Sequence, residues 1–196
     1  MPILVDLSHT SHTRARTGIQ RVSRAILAAL GPSAEAVTFD PYGAEWRSLD
    51  PWERSNLGSD GPGAGRGAQW PVSARLRGRL RRLAPRDRLG GGHEALIVPE
   101  VFSARVEAAL PRLLGAVRGP SVALFHDAIA LQLPEYSPRS TVARFPSYLQ
   151  ALLRFDGVAA VSEASRASLE GYWSWLGVAK HPPVAAIPLG IDAPPA

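Results

Sequence analysis

Short apolar runs recur along this chain, and each is followed by a segment whose apolar residues fall at helical spacing. Ile3-Leu4-Val5-Asp6-Leu7 has the near-continuous hydrophobicity of a strand buried on both faces. Behind it, Ile19, Val22, Ile26, Leu27 and Leu30 share one face of a helix that opens near Thr17 and stops at Gly31-Pro32. Glu35–Phe39, Ala95–Val98, Ser121–Phe125, Gly157–Val161 and Val184–Ile187 read as further strands. Helices are expected over Val101–Val117 with a kink or break at Pro111, from Pro146 to Phe155, and over Glu163–Leu176 with Ser162 as N-cap. Strands alternating with helices specify an α/β fold: an open, doubly wound, Rossmann-like parallel sheet with helices on both faces.

In such sheets ligands bind beyond the carboxyl ends of the strands. The strands deliver Ser8-His9, Asp40, Pro99-Glu100, His126-Asp127, Ser162-Glu163 and Pro188-Leu189-Gly190 to that rim. Polar chemistry therefore gathers where the fold predicts a site.

The alternation breaks between Pro41 and Gly92. Gly58–Gly65 and Gly90–Gly92 have flexible-linker composition. Between them Leu76, Leu80 and Leu83 fall at helical spacing among Arg75, Arg77, Arg79, Arg81 and Arg82, with Gly78 weakening the helix and Pro85 ending it. The net charge is +5, and Lys180 is the only lysine of the sequence. A basic balance admits an anionic membrane surface, a phosphate-rich ligand or nucleic acid as partner. The stretch Arg75–Arg88 is read either as peripheral docking on anionic lipid or as a solvated surface helix. Nucleic acid is not expected, because no recognition motif with interleaved aromatics accompanies the arginines.

With no cysteine in the chain, disulfides and thiolate metal sites are excluded, which fits a cytoplasmic protein, docked peripherally on the inner face of the membrane in the lipid reading. No run approaches the roughly 18 apolar residues of a membrane span, and the N-terminus has no secretory-signal pattern. His9 and His12 are three apart but have no acid near them in sequence, and there is no Asp-x-Asp pair, so no metal site is expected.

Three stretches carry candidate chemistry. In "SHTSHTRARTGIQR", Thr17 and Gly18 open a helix whose N–H groups and dipole favour an anion. Arg14, Arg16 and Arg21 crowd there with no acid between Asp6 and Glu35, so a phosphate nearby would explain Arg21 in the first turn. In "VALFHDAIALQLPEYSP", His126 and Asp127 end a buried strand and point to opposite faces. In "FDGVAAVSEASRASL", Ser162 and Glu163 suit a helix start, and Trp173 and Trp175 beyond them read as packing aromatics.

Taken in order, "DLSHTSHTRARTGIQRVSRAI", "ALFHDAIALQLPEYSP", "FDGVAAVSEASRASL" and "VAAIPLGID" resemble the N-terminal domain of GT-B glycosyltransferases of family four, also called group 1. The resemblance covers residues 3–40 and 95–192. It implies two Rossmann-like domains facing across a cleft, one holding the acceptor and the other the nucleotide-sugar donor. It further implies retaining transfer of a sugar from a nucleotide diphosphate to a saccharide or lipid-linked acceptor, without a metal ion or other cofactor. By position, the resemblance places Gly18 and Arg21 toward the donor diphosphate, with Thr17 beside them. His126 falls on the transferred sugar and Asp127 on the acceptor side, with Ser162, Glu163 and Gly190 among the substrate contacts. Thr17 stands where the family has a first glycine, and Leu189 where its linker turn has asparagine.

The expected organisation is one domain over 1–192 with an insertion at about 41–94, and an interdomain linker starting in 188–196. On this reading the donor half is not among these residues, a separate C-terminal half is one possible partner, and these residues alone catalyse no appreciable transfer. The alternatives are a non-catalytic split subunit that assists another transferase, or a basic nucleic-acid- or membrane-binding module.

Overall fold

A computed structural model of the protein describes residues 2–58, 67–83, 89 and 92–190. The packing divides into two compact units, Met1–Ser121 and Val122–Ala196. Each is α/β with a mostly parallel sheet.

The first unit contains β1 (Ile3–Asp6), α1 (Gly18–Leu30), β2 (Ala34–Asp40), β3 (Glu45–Ser48), α2 (Pro51–Gly58), α3 (Val72–Leu83), β4 (Ala95–Val98) and α4 (Ala104–Leu114). Its strands lie in the order β3-β2-β1-β4. β1 is central, pairing in parallel with β2 from Ile3↔Ala34 and with β4 from Ile3↔Ala95. Leu4, Val5, Leu96 and Val98 are consequently buried with Val37 and Leu110. The helix expected behind β1 is present: Thr17 caps it, Gln20 completes a capping box, and Gly31 turns the chain away at φ 51°. α4 starts at Ala104, later than its periodicity predicts, because the Ser103 hydroxyl accepts the Val106 N–H and fixes the start. Pro111 sits inside that helix.

The interruption at 41–94 is built into this unit. β3 folds back antiparallel on β2, from Val37↔Ser48 to Asp40↔Glu45, and two helices follow. The linker-like glycines at 59–65 and 90–91, and Pro85, Arg86 and Arg88 of the basic stretch, lie outside the described residues. One glycine is required by close approach: a Cβ on Gly119 would stand 1.8 Å from the Glu94 carbonyl oxygen.

The second unit begins within β5 (Ser121–Phe125) and contains α5 (Ile129–Gln132), α6 (Arg139–Ala151), β6 (Gly157–Ala160), α7 (Glu163–Trp175) and β7 (Val184–Ala186). β6 pairs in parallel with both β5 and β7. The helix expected from Pro146 begins at Arg139 instead, and Pro146 lies within it. Phe125, Tyr148, Leu149, Leu152, Leu169 and Trp173 form the core, and the Trp173 indole donates to the Leu149 carbonyl at 2.9 Å. Among the described residues no helix is long and apolar enough to cross a membrane.

Candidate functional site

In the first unit, β1 leads to β2 on one side while β4 pairs on the other, so the strand order reverses at β1 and β4. Such a reversal opens a crevice at the carboxyl ends of the two strands. Two buried carboxylates organise it. Asp6, the last residue of β1, accepts the Ser8 N–H at 2.9 Å and the Ser8 hydroxyl at 2.5 Å. Glu100, two residues past β4, accepts the His9 and Thr10 N–H groups at 2.7 and 2.9 Å. Glu100 therefore ties the loop after β1 to the end of β4. Burial and then the charge of Glu100 push the Asp6 carboxyl up to about 7. Burial also raises Glu100, against the hydrogen bonds from Thr10 and His9.

The same loop is held from the helix side. Arg24 donates to the Ala15 and Thr13 carbonyls at 3.0 and 3.1 Å and to the Asn56 carbonyl at 3.3 Å. The opening of α1 is thus fixed, yet it faces solvent. The Thr17 N–H donates to Gln20 Oε1 at 2.8 Å, and Gly18 is exposed with no atom within 4 Å of where a Cβ would stand. Arg14, Arg16 and Arg21 are exposed, and no acid lies in the first turn. Arg14 reaches Asn56 Oδ1 at 3.3 Å. The structure therefore brings Thr17, Gly18 and Arg21 together as a rigid, cationic helix opening.

The sequence reading found no acid near His12; the fold supplies one from 41 residues away. His12 Nε2 lies 2.8 Å from Glu53 Oε1 and Nδ1 2.7 Å from the Ser8 carbonyl oxygen, so both ring nitrogens are engaged. Its ring packs against both Trp52 and Trp70, with centroids 5.5 and 4.1 Å away, and the two indoles lie 5.5 Å from each other. Glu53 also takes two bonds from Arg47, at 2.7 and 2.8 Å, and the Asp50 N–H at 2.6 Å. Burial would raise this carboxyl, but the bonds from His12 and Arg47 overcome it and bring it down to about 2. Arg47 continues to Asp40 at 3.3 Å, and Arg81 of α3 joins Asp50 at 3.2 Å. Three carboxylates thus meet two guanidiniums and one imidazole in a single cluster. The cluster is a clamp that fastens α2 and α3 beneath the β1 loop. Asp40 and Glu100 were legible as rim residues, whereas Arg47, Glu53 and Arg24 carried no sequence signal.

In the second unit the rim is shallower. His126 follows β5 and is buried, and its carbonyl accepts the Ser165 hydroxyl at 2.7 Å. Asp127 is exposed and accepts the Ile129 N–H at 3.0 Å, opening α5. Ser162 caps α7 by accepting the Ser165 N–H at 3.1 Å. The structure thus joins His126 to Ser162 through Ser165. Glu163 is exposed and engaged by Arg166, which also holds Glu170 at 2.6 Å. Gly190 lies in exposed coil beyond β7 with nothing near its Cβ position. The two tryptophans read as packing residues separate: Trp173 is buried, while Trp175 is 78% exposed. Trp175 and Tyr172 border an open groove of about 580 Å³ shared with Leu131, Gln132 and Ser168.

Among the described residues, no group of three or more His, Asp or Glu side chains is placed to hold a metal ion. No protein family, curated protein or solved structure matches this chain.

Proposed function

We propose that the protein is the acceptor-side portion of a retaining GT-B glycosyltransferase of family four, moving a sugar from a nucleotide diphosphate to a saccharide or lipid-linked acceptor. The observation that carries this reading is the opening of α1. A helix N-terminus stands at a reversal of strand order, its loop is clamped by Glu100 and Arg24, and Gly18 leaves its backbone open to approach. Oriented N–H groups and arginines of this kind stabilise charge that develops on a departing diphosphate, and being fixed beforehand they need no reorganisation. In this reading Thr17 and Gly18 present backbone to the diphosphate and Arg21 adds charge. His126 and Asp127 act on the transferred sugar and the acceptor respectively, with Ser162, Glu163 and Gly190 in supporting contacts. In this reading the transfer takes place between donor and acceptor without a metal ion or other cofactor.

The test is a titration of the protein with uridine, guanosine and adenosine diphosphates, followed by amide NMR. At least one nucleotide should shift the Thr17–Arg21 amides, and Arg21→Ala should weaken its binding by about tenfold, the loss of one charge-assisted hydrogen bond. No shift with any nucleotide, or binding unchanged in Arg21→Ala, overturns the reading.

A further inference from the structure

α3 has two faces with different assignments. Ala74 and Gly78 are buried, and a Cβ on Gly78 would lie 2.7 Å from Tyr42 Cβ and 2.9 Å from Asp40 Oδ1. Arg81, on the same side, pairs with Asp40 and Asp50. The helix is thus seated through its smallest residues and one arginine. The leucines whose spacing marked an apolar face do not form the seat. Val72, Leu76, Leu80 and Leu83 are 79, 58, 58 and 82% exposed. At about 100° per residue these four fall within an arc of about 80°, centred nearly opposite the buried face. Arg75, Arg79 and Arg82 line one flank of the stripe and Arg77 the other, with no acid anywhere in Val72–Leu83.

A folded unit gains nothing by aiming a continuous aliphatic ridge into water. We infer that the outward face of α3 docks on an anionic lipid surface. The charge pattern selects this occupant. A second copy would set arginine flank against arginine flank, which is repulsive. A bilayer rich in anionic headgroups takes the aliphatic side chains between its lipids while the arginines on both flanks reach phosphates. α3 is about 18 Å long, and the Arg81 pairs and the Gly78 contact hold it in one orientation, so the ridge is presented without the cost of folding a free peptide. The inference uses no residue of the α1 opening and stands or falls independently of the transferase reading.

Co-sedimentation of the intact protein with extruded vesicles tests it, comparing phosphatidylcholine alone with a mixture containing about 30 mol% phosphatidylglycerol. The protein should pellet with the anionic vesicles and stay in solution with the neutral ones, and salt at about 0.5 M should release it. Arg77→Gln/Arg79→Gln/Arg82→Gln should weaken the association by about a hundredfold, each arginine near such a surface being worth about fivefold. Leu76→Ser/Leu80→Ser should weaken it by at least about tenfold. All five side chains are exposed, so far-ultraviolet circular dichroism should match the parent in both variants. Absence of pelleting with anionic vesicles overturns the inference. So does loss with the arginine variant but not the leucine variant, which would make α3 a general polyanion surface, as for nucleic acid.

Discussion

The two units hold the polar residues at and around the ends of their strands in different ways. In the first, Asp6, Glu53 and Glu100 are buried and bonded to histidine, arginine and backbone N–H groups. In the second, Asp127, Ser162 and Glu163 sit at or near the surface, where they open helices. A buried charge is expensive unless every partner is present, so the first rim is an all-or-none assembly. The second rim is made of separable caps, each replaceable by water at small cost.

The largest contrast lies in removal of one partner. Arg47→Met leaves Glu53 and Asp40 buried with fewer counter-charges and should lower unfolding free energy by about 3–5 kcal/mol in urea titrations. A loss below about 1 kcal/mol would mean that water enters the cluster and that the two rims are alike.

The next effect is one of pH. Asp6 binds its proton more tightly folded than unfolded, so its contribution is complete below its ordinary range near 4 and fades as pH rises through about 7. Raised Glu100 acts in the same direction. Lowered Glu53 acts oppositely, its contribution disappearing as pH falls from about 4.5 toward 2. Stability should therefore peak on the acid side of neutrality. Asp6→Asn should remove about 2–4 kcal/mol of the decline between pH 4 and 8, seen as a flatter dependence of Tm on pH. An unaltered slope would show that Asp6 ionises without penalty.

The smallest effect belongs to the second rim. Ser162→Ala deletes one cap and should cost about 1 kcal/mol, with little pH dependence, in the same urea assay. A cost near that of Arg47→Met would erase the distinction between the rims.

Much of the architecture was legible because near-continuous apolar strands and amphipathic helices leave local signatures. β4 and β5 coincide with their apolar runs, and Thr17 and Ser162 mark the starts of α1 and α7. How the middle segment is anchored was not legible, because its anchoring is long-range. Glu53 meets His12 across 41 residues, and Arg81 meets Asp50 across 31. The spacing of Leu76, Leu80 and Leu83 gave a helix correctly but could not say that its seat would be Ala74 and Gly78. At the candidate site, the exposed opening at Thr17–Arg21 could be read from composition. The clamp behind it, formed by Glu100 and Arg24, could not, since it appears only when separate strands and helices are brought together.

The cluster of His12, Trp52 and Trp70 gives the first unit a built-in optical signal. Trp52 and Trp70 lose their contacts with His12 and with each other when the segments that carry them separate, so the emission of these two of the five tryptophans should change. That change would report, without any added dye, the moment at which α2 and the segment ahead of α3 come away from the β1 loop.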